Sequence, residues 1–303
     1  MKMIIFLALL MAFMLFAGCS TTSPIDAALD AEVANISNED FKRQPVGPFS
    51  EKEDYYKDVA VEEDVLSRET LGKIQLYNLD KIDDVGDEMG NAAGHCYRGK
   101  YQEADRLFDA IYEKYREHPG YWNQIGICFF QRNDLRSAML YFNKALSIKG
   151  SYAPAINNLG VLYIKKGKEQ NAALAFEEAI KNHKYSRTPK FNLAQLYLKY
   201  GHVDKAHKLF MELYTFNGKD VDVLNAIANI HLLRGKNQEA KKYFEMIDAQ
   251  MFKQPYIGIN YAYTLKTLKF DDEAKEILQN VSVERGNKLY SYYMNVKRFV
   301  EKR

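Results

Sequence analysis

The sequence of 303 residues is 47% hydrophobic and 27% charged, and its formal net charge is +2. Three cysteines and six histidines include no CxxC pair and no HExxH motif, which excludes a metal site of the usual ligand spacing. The small net charge conceals an uneven distribution, because residues 21–85 carry 16 acidic and 7 basic side chains while the chain beyond residue 85 carries 34 basic and 24 acidic ones.

The first residues have the features of an export signal. Lys2 precedes an apolar stretch of thirteen residues that runs from Ile4 to Phe16. This stretch is shorter than the roughly 20 residues that a membrane-spanning helix needs, but it has the length of the hydrophobic region in a secretory signal. Residues 1–18 are therefore predicted to be a signal peptide.

The signal ends in Ala17-Gly18-Cys19, which resembles the lipobox of bacterial lipoproteins. The resemblance implies that Cys19 becomes the acylated N-terminus of the mature protein. Ser20 follows, and a residue other than Asp at this place implies sorting to the outer membrane. An ordinary cleaved signal peptide with a chance cysteine is the alternative.

The acidic part of the chain divides into two predicted segments. Residues 19–58 contain Pro24, Pro45 and Pro48 and few apolar side chains, which predicts a disordered tether with a span of roughly 35 to 45 Å. Residues 59–84 contain more apolar side chains without a clean period and are expected to dock on the rest of the chain. They form either a locally packed cap or an acidic cover that occludes a basic surface.

Residues 85–284 repeat with a period of 34 residues. Phenylalanine or leucine follows each repeated alanine by four residues and an apolar residue follows three further on, which is the buried stripe of an amphipathic helix. Only Ala or Gly occurs twelve residues before each alanine, so that a second helix can approach closely. Each repeat is therefore predicted to be a pair of helices. The six alanines are Ala104, Ala138, Ala172, Ala206, Ala240 and Ala274.

The turn between the two helices of each repeat is also predicted by a repeated position. Gly or Asn, which favour the left-handed conformation that ends a helix, occupies five of the six turns, and Lys269 occupies the sixth. After the last repeat, residues 285–303 place Leu289, Tyr293, Val296 and Val300 on one face and are predicted to form a capping helix.

These positions resemble the tetratricopeptide repeat, a helical hairpin of 34 residues. The resemblance implies an all-α, right-handed superhelical solenoid of about six repeats. The first repeat departs from the pattern at Glu88, Asn91 and His95, and the last departs from it at Gly258 and Tyr261. The second repeat matches best, with Trp122, Ile125, Gly126, Phe129, Ala138, Phe142 and Ala145.

Cys96 and Cys128 fall on the first helices of neighbouring repeats. In an oxidising compartment they form a disulfide if their Cα atoms come within about 7 Å, and otherwise they are two small buried hydrophobic residues. Both alternatives remain open from the sequence. The chain has no GxSxG motif, phosphate-binding loop or dinucleotide fingerprint, so neither an enzyme nor a cofactor is predicted.

The resemblance implies that the first helices line a concave face that binds a partner. Asparagine offers a donor and an acceptor, so asparagines in successive repeats could hold the backbone of an extended peptide. The apolar positions would take its side chains, or alternatively pack between helices, and the two lysines would favour an acidic partner. The predicted positions are Asn123, Gln124, Ile127, Phe130, Asn158, Ile164, Lys165, Asn192, Gln195, Leu198, Lys199, Asn229, Leu232, Asn260 and Tyr263.

Together these features predict a periplasmic scaffold lipoprotein of the outer membrane whose partner is an envelope protein or an extended peptide. A lipobox followed by such repeats resembles the pilotins that promote secretin assembly in type IV pili. Adaptors for cell-wall hydrolases, barrel-protein insertion or gliding machinery are the alternative. A nucleic-acid partner is not expected of an exported protein, and the oligomeric state is left open.

Overall fold

The computed structural model describes residues 88–302. The predicted signal peptide, Cys19, the tether and the docking segment lie outside these residues. Within the described residues the chain forms thirteen α-helices, one 3-10 helix and no strand, so the predicted all-α fold is confirmed. None of the described helices has the length and apolar character needed to cross a membrane.

The helices follow the 34-residue period closely. Second helices begin at residues 101, 135, 169, 203, 237 and 271, and first helices from the second pair onward begin at 119, 153, 187, 221 and 255. In chain order the helices are α1 (Glu88–Tyr97), α2 (Tyr101–Tyr115), α3 (Pro119–Gln131), α4 (Leu135–Ile148), α5 (Ala153–Lys165), α6 (Glu169–Asn182), α7 (Arg187–Lys199), α8 (Val203–Phe216), α9 (Val221–Leu233), α10 (Asn237–Glu245), α11 (Pro255–Thr267), α12 (Asp271–Gln279) and α13 (Tyr290–Glu301).

Successive helices pack in pairs, from α1 with α2 to α11 with α12, and each second helix also packs on the first helix of the next pair. First helices contact each other between several neighbouring pairs, including α1 with α3 and α9 with α11. The array therefore has two layers. We call the side of α1, α3, α5, α7, α9 and α11 that faces away from the second helices the first-helix face.

The core of each pair is a phenylalanine opposite a small residue. Phe142 and Phe176 are fully buried. A Cβ atom added at Gly126 would lie 2.6 Å from the ring of Phe142, and one added at Gly160 would lie 2.5 Å from the ring of Phe176. The small residue is required because the ring occupies the space that a larger side chain would need.

All six turns within the pairs adopt the left-handed conformation. Lys269 has φ of 67°, close to the 72° of Gly167, although its side chain makes this conformation unfavourable. The two turns form equivalent hydrogen bonds, since the Phe270 N–H donates to Leu265 O at 2.9 Å and the Lys168 N–H donates to Tyr163 O at 2.8 Å. The sixth turn therefore has the same geometry as the others despite its different residue.

A disulfide joins Cys96 on α1 to Cys128 on α3, with the two Cα atoms 5.2 Å apart. Each cysteine is only 1% exposed. Of the two alternatives left open by the sequence, the structure contains the disulfide. It ties the first repeat to the second.

The last repeat differs from the others because a 3-10 helix, Ala249–Lys253, precedes α11. Gly258 stands at the position of Trp122 in the second repeat, and a Cβ atom there would overlap the carbonyl oxygen of Phe252. The ring of Phe252 lies 4.6 Å from that of Tyr261, which is buried. The departures at Gly258 and Tyr261 therefore accommodate the 3-10 helix.

Helix α13 covers the end of the array. Val296 and Val300 are buried in the cluster that also contains the core of the last two helix pairs, and Tyr293 packs against it. The Lys266 ammonium on α11 also donates to the carbonyl oxygen of Lys302 at 2.7 Å. The helix therefore buries the apolar surface that the last pair would otherwise expose.

Replacing both cysteines, Cys96→Ala with Cys128→Ala, should lower the free energy of unfolding by about 3–4 kcal/mol, because the disulfide closes a loop of 32 residues in the unfolded chain. The measurement is urea unfolding of the oxidised wild type and of the double variant. The wild type treated with reductant is the control and should match the double variant. Equal midpoints for the oxidised wild type and the variant would contradict this.

Replacing Gly258 with Ala should destabilise the protein by about 2–3 kcal/mol, because the methyl group would displace the backbone at Phe252. Thermal unfolding followed by circular dichroism measures the effect. Gly218→Ala is the control, since an added Cβ there meets only the ring of Tyr214 at 3.5 Å. A Gly258→Ala variant as stable as this control would show that the close approach is not a constraint.

Candidate functional site

A chain of side-chain amides crosses three repeats on the first helices. Asn192 on α7 donates to Asn157 on α5 at 2.9 Å. Asn157 donates to its neighbour Asn158 at 3.1 Å, and Asn158 donates to Asn123 on α3 at 2.8 Å. The amide groups therefore join α3, α5 and α7 to one another.

This arrangement corrects part of the predicted site. Asn123 and Asn158 are fully buried and Asn192 is 7% exposed, and their amides bind each other across the repeats. Gln124 and Ile127 on α3 are buried as well. These five positions therefore do not form an open ladder for a peptide backbone, because an amide buried in the array is stabilised by bonding to the next amide.

The remaining predicted positions reach the surface to different extents. Phe130, Leu198, Asn229, Leu232 and Asn260 are half-buried, and Ile164, Lys165, Gln195, Lys199 and Tyr263 are exposed.

Lys199 binds the carboxylate of Glu169 in the preceding pair, and this hydrogen bond raises the pKa of the lysine. Its charge is therefore already paired, which weakens the predicted preference for an acidic partner at this position.

A cavity of about 260 Å³ lies where α7, α9, α11 and α13 meet on the first-helix face. It brings together four predicted residues, Gln195, Leu198, Asn229 and Asn260, which come from three different repeats. We call it the α13 cavity. Its other lining residues are Asn225, Ala226, Pro255, Tyr256, Ile259, Leu289 and Tyr292.

The capping helix contributes the part of the α13 cavity that the repeat pattern did not predict. Tyr292 donates its hydroxyl hydrogen bond to Asn260 Oδ1 at 2.7 Å, and burial raises the pKa of this tyrosine. On α11, the Tyr256 hydroxyl lies 3.4 Å from Asp222 Oδ1. The clustering of tyrosines near the C-terminus was visible in the sequence, but their position beside Asn260 depends on how α13 packs.

Asn229 has an unusual environment within the α13 cavity. Its Nδ2 donates to Asn225 Oδ1 at 3.3 Å. Its Oδ1 is buried and has no hydrogen-bond partner among the described residues. A buried acceptor without a donor is unfavourable, so Asn229 presents an unused acceptor beside the cavity.

The α13 cavity has the chemistry of a binding site for an uncharged group. No Asp, Glu, Lys or Arg lines it, and its walls combine aliphatic side chains with two tyrosine rings and four amides. Among residues 88–302 no group of three or more His, Cys, Asp or Glu side chains is placed to hold a metal ion. The arrangement therefore suits recognition of a neutral side chain or peptide segment.

Replacing Asn158 with Ala should destabilise the array by about 1–3 kcal/mol, because Asn157 would lose its acceptor and Asn123 its donor in a buried environment. Urea unfolding measures this change. Asn171→Ala on the exposed surface of α6 is the matched control and should change stability by less than about 0.5 kcal/mol. Equal stability of the two variants would show that the amide chain contributes nothing to cohesion.

The sequence matches family models of the tetratricopeptide repeat over residues 94–154 and 153–182. A search of the curated proteins found no match.

Several solved structures share the fold. One described as "Functional Characterization of Pseudomonas Aeruginosa pilF" has a TM-score of 0.56 and 16% identity, and the alignment covers 73% of this chain and 98% of that one. The structure of PilW, a "widely conserved type IV pilus biogenesis factor", has a TM-score of 0.54 and 17% identity, with coverage of 70% and 96%.

The Cut9–Hcn1 complex of the APC/C shares the fold over more of this chain, with a TM-score of 0.59, 16% identity and coverage of 92% of this chain and 55% of that one. At these identities the similarity concerns the fold alone. The chain is therefore a protein of tetratricopeptide repeats, which the family models match over residues 94–182 and which the helix pairs extend in both directions.

Proposed function

We propose that this protein is a scaffold of the bacterial envelope that binds an extended segment of a partner protein on its first-helix face. The observation that carries the proposal is the α13 cavity, because it is a concave, mostly apolar site on that face with a few convergent polar groups. Gln195 and Leu198 form one side of it, and Ile259 and Asn260 form another. A segment that places a side chain between them would bury that side chain against three repeats.

The proposed location is the periplasmic side of the outer membrane, with Cys19 as the lipid anchor. The lipobox-like sequence before Cys19 supports export, and the disulfide between Cys96 and Cys128 supports an oxidising compartment. Multiple acyl chains on one residue would hold the protein stably at the membrane. Residues 19–58 would then act as a tether between the anchor and the array.

The proposed partner is a secretin subunit of a type IV pilus, which this protein would bring to the outer membrane as a pilotin does. The fold that the chain shares with PilF and PilW supports this choice, since those alignments cover nearly the whole of both proteins. In this mechanism the lipid determines the location, and the first-helix face holds the secretin segment until the subunits assemble.

An adaptor for a cell-wall hydrolase is the second candidate. The 40 residues of the tether favour it, because a span of roughly 35 to 45 Å would let the array work at a distance from the membrane surface. The same first-helix face would bind the partner, so the two candidates differ in the identity of the bound protein.

Replacing Leu198 with Glu should reduce recovery of the partner from envelope extracts at least tenfold, because the variant places a charge against the apolar wall of the α13 cavity. The measurement is a pull-down with the chain from Ser20 onward, followed by mass spectrometry of the bound proteins. Leu174→Glu is the matched control, since Leu174 is 65% exposed on α6. Gln195→Arg, at an exposed position beside the cavity, tests the same surface with little risk to folding.

Recovery of a secretin by the wild type and the control, and its loss in both cavity variants, would support the pilotin proposal. Recovery of a hydrolase with the same pattern would replace it with the second candidate. Undiminished recovery by Leu198→Glu and Gln195→Arg would overturn the assignment of the first-helix face.

A further inference from the structure

We infer that the α13 cavity takes a tyrosine or tryptophan side chain of the bound protein and reads its hydrogen-bond donor through Asn229. This inference rests on the proposed function, since it specifies the residue by which a partner segment is anchored. It follows from the walls of the cavity, from its lack of charge and from its unused acceptor.

The walls favour a large, mostly apolar side chain. Leu198, Pro255, Ile259 and Leu289 provide aliphatic surface from three separate parts of the chain. The ring of Tyr292, which is 42% exposed, lies at the same cavity. Aromatic side chains gain most from such a site because they bury a large rigid surface and form favourable edge-to-face contacts with other rings.

The absence of charge narrows the choice further. Trp, Tyr and Arg dominate the energetics of protein interfaces, but an Arg side chain needs a carboxylate partner when it is buried. The carboxylate nearest to the cavity in the hydrogen-bond network is Asp222, which does not line it and lies beside the Tyr256 hydroxyl. An arginine would therefore lose its hydration without compensation, whereas Tyr and Trp would not.

The unused acceptor distinguishes Tyr and Trp from Phe. Asn229 lines the cavity, its Oδ1 is buried without a partner among the described residues, and its Nδ2 is held by Asn225. A phenol O–H or an indole N–H delivered into the cavity would satisfy this oxygen. Phenylalanine would fill the same volume but leave the acceptor without a donor, which is costly in a site closed to water.

A sugar ring fits these walls less well than an aromatic side chain. Its hydroxyl groups project from most of its edge, and Leu198, Ile259 and Leu289 would leave several of them without partners. The aliphatic walls therefore favour an anchor with a single polar tip.

The test uses small probes, so that the partner need not be known. N-acetyl-tyrosinamide, N-acetyl-tryptophanamide and N-acetyl-phenylalaninamide are titrated into the ¹⁵N-labelled chain from Ser20 onward, and the shifts of the amides of α9 and α11 report binding. The tyrosine and tryptophan probes should bind about 5- to 10-fold more tightly than the phenylalanine probe, which is the value of one hydrogen bond.

The variant Asn229→Leu should remove this difference while retaining the affinity for the phenylalanine probe. Asn171→Leu, the same substitution on the exposed surface of α6, should preserve the difference and is the matched control. Equal affinity of the tyrosine and phenylalanine probes for the wild type would overturn the inference, and so would shifts confined to residues outside the α13 cavity. Shifts at the cavity with chitotriose, and none with the aromatic probes, would overturn it in favour of a glycan site.

The two proposals fail in distinguishable ways. If no aromatic probe binds but Leu198→Glu loses the partner in the pull-down, the first-helix face is the binding surface and only the aromatic anchor is wrong. If the probes bind as expected but the cavity variants retain the partner, the cavity is an aromatic site and the proposed function is wrong.

Discussion

The whole array depends on the contact between a buried phenylalanine and a small residue in the partner helix. Phe142 opposite Gly126 and Phe176 opposite Gly160 leave no room for even a methyl group at the glycine. Because a close-packed core transmits such a constraint, the distance between the two helices of a pair is nearly the same in each repeat. The equal spacing of the helix starts follows from this, and residues 34 positions apart are brought to equivalent places on the first-helix face. Side chains from successive pairs can therefore converge on one cavity without being near in sequence.

The two ends of the array satisfy their packing by other means than the middle. At the N-terminal end, the disulfide between Cys96 and Cys128 reinforces a first helix of only ten residues. At the other end, a 3-10 helix inserts Phe252 beside Tyr261, and Gly258 provides the space for its backbone. Helix α13 then covers the last pair. A solenoid must end its core somewhere, and each of these departures from the repeat pattern occurs where a neighbouring pair is missing or changed.

The period, the helix pairs and five of the six turns could be predicted from the sequence, because each depends on contacts within one repeat. Lys269 was not recognisable as a left-handed turn residue, since the packing of its neighbours rather than its own preference imposes the conformation. The amide chain was also beyond prediction. Asn158 on a first helix is equally compatible with binding a peptide and with binding Asn123, and only the spacing between repeats decides between them. The α13 cavity required the position of Tyr292, which depends on a helix outside the repeat pattern.

The charge distribution has a similar lesson for the partner. The basic excess beyond residue 85 suggests an acidic ligand, but at the turns between paired helices several of these cations are bound to the preceding pair. Arg132 binds Asp105, Lys199 binds Glu169 and Arg234 binds Asp204, each across a repeat boundary. Such exposed pairs contribute little stability, yet they occupy the charges that would otherwise attract an anion. The cavity on the first-helix face, in contrast, is lined by no charged side chain. Recognition there depends on shape and on neutral hydrogen bonds, so the composition of the chain as a whole is a poor guide to what this face binds.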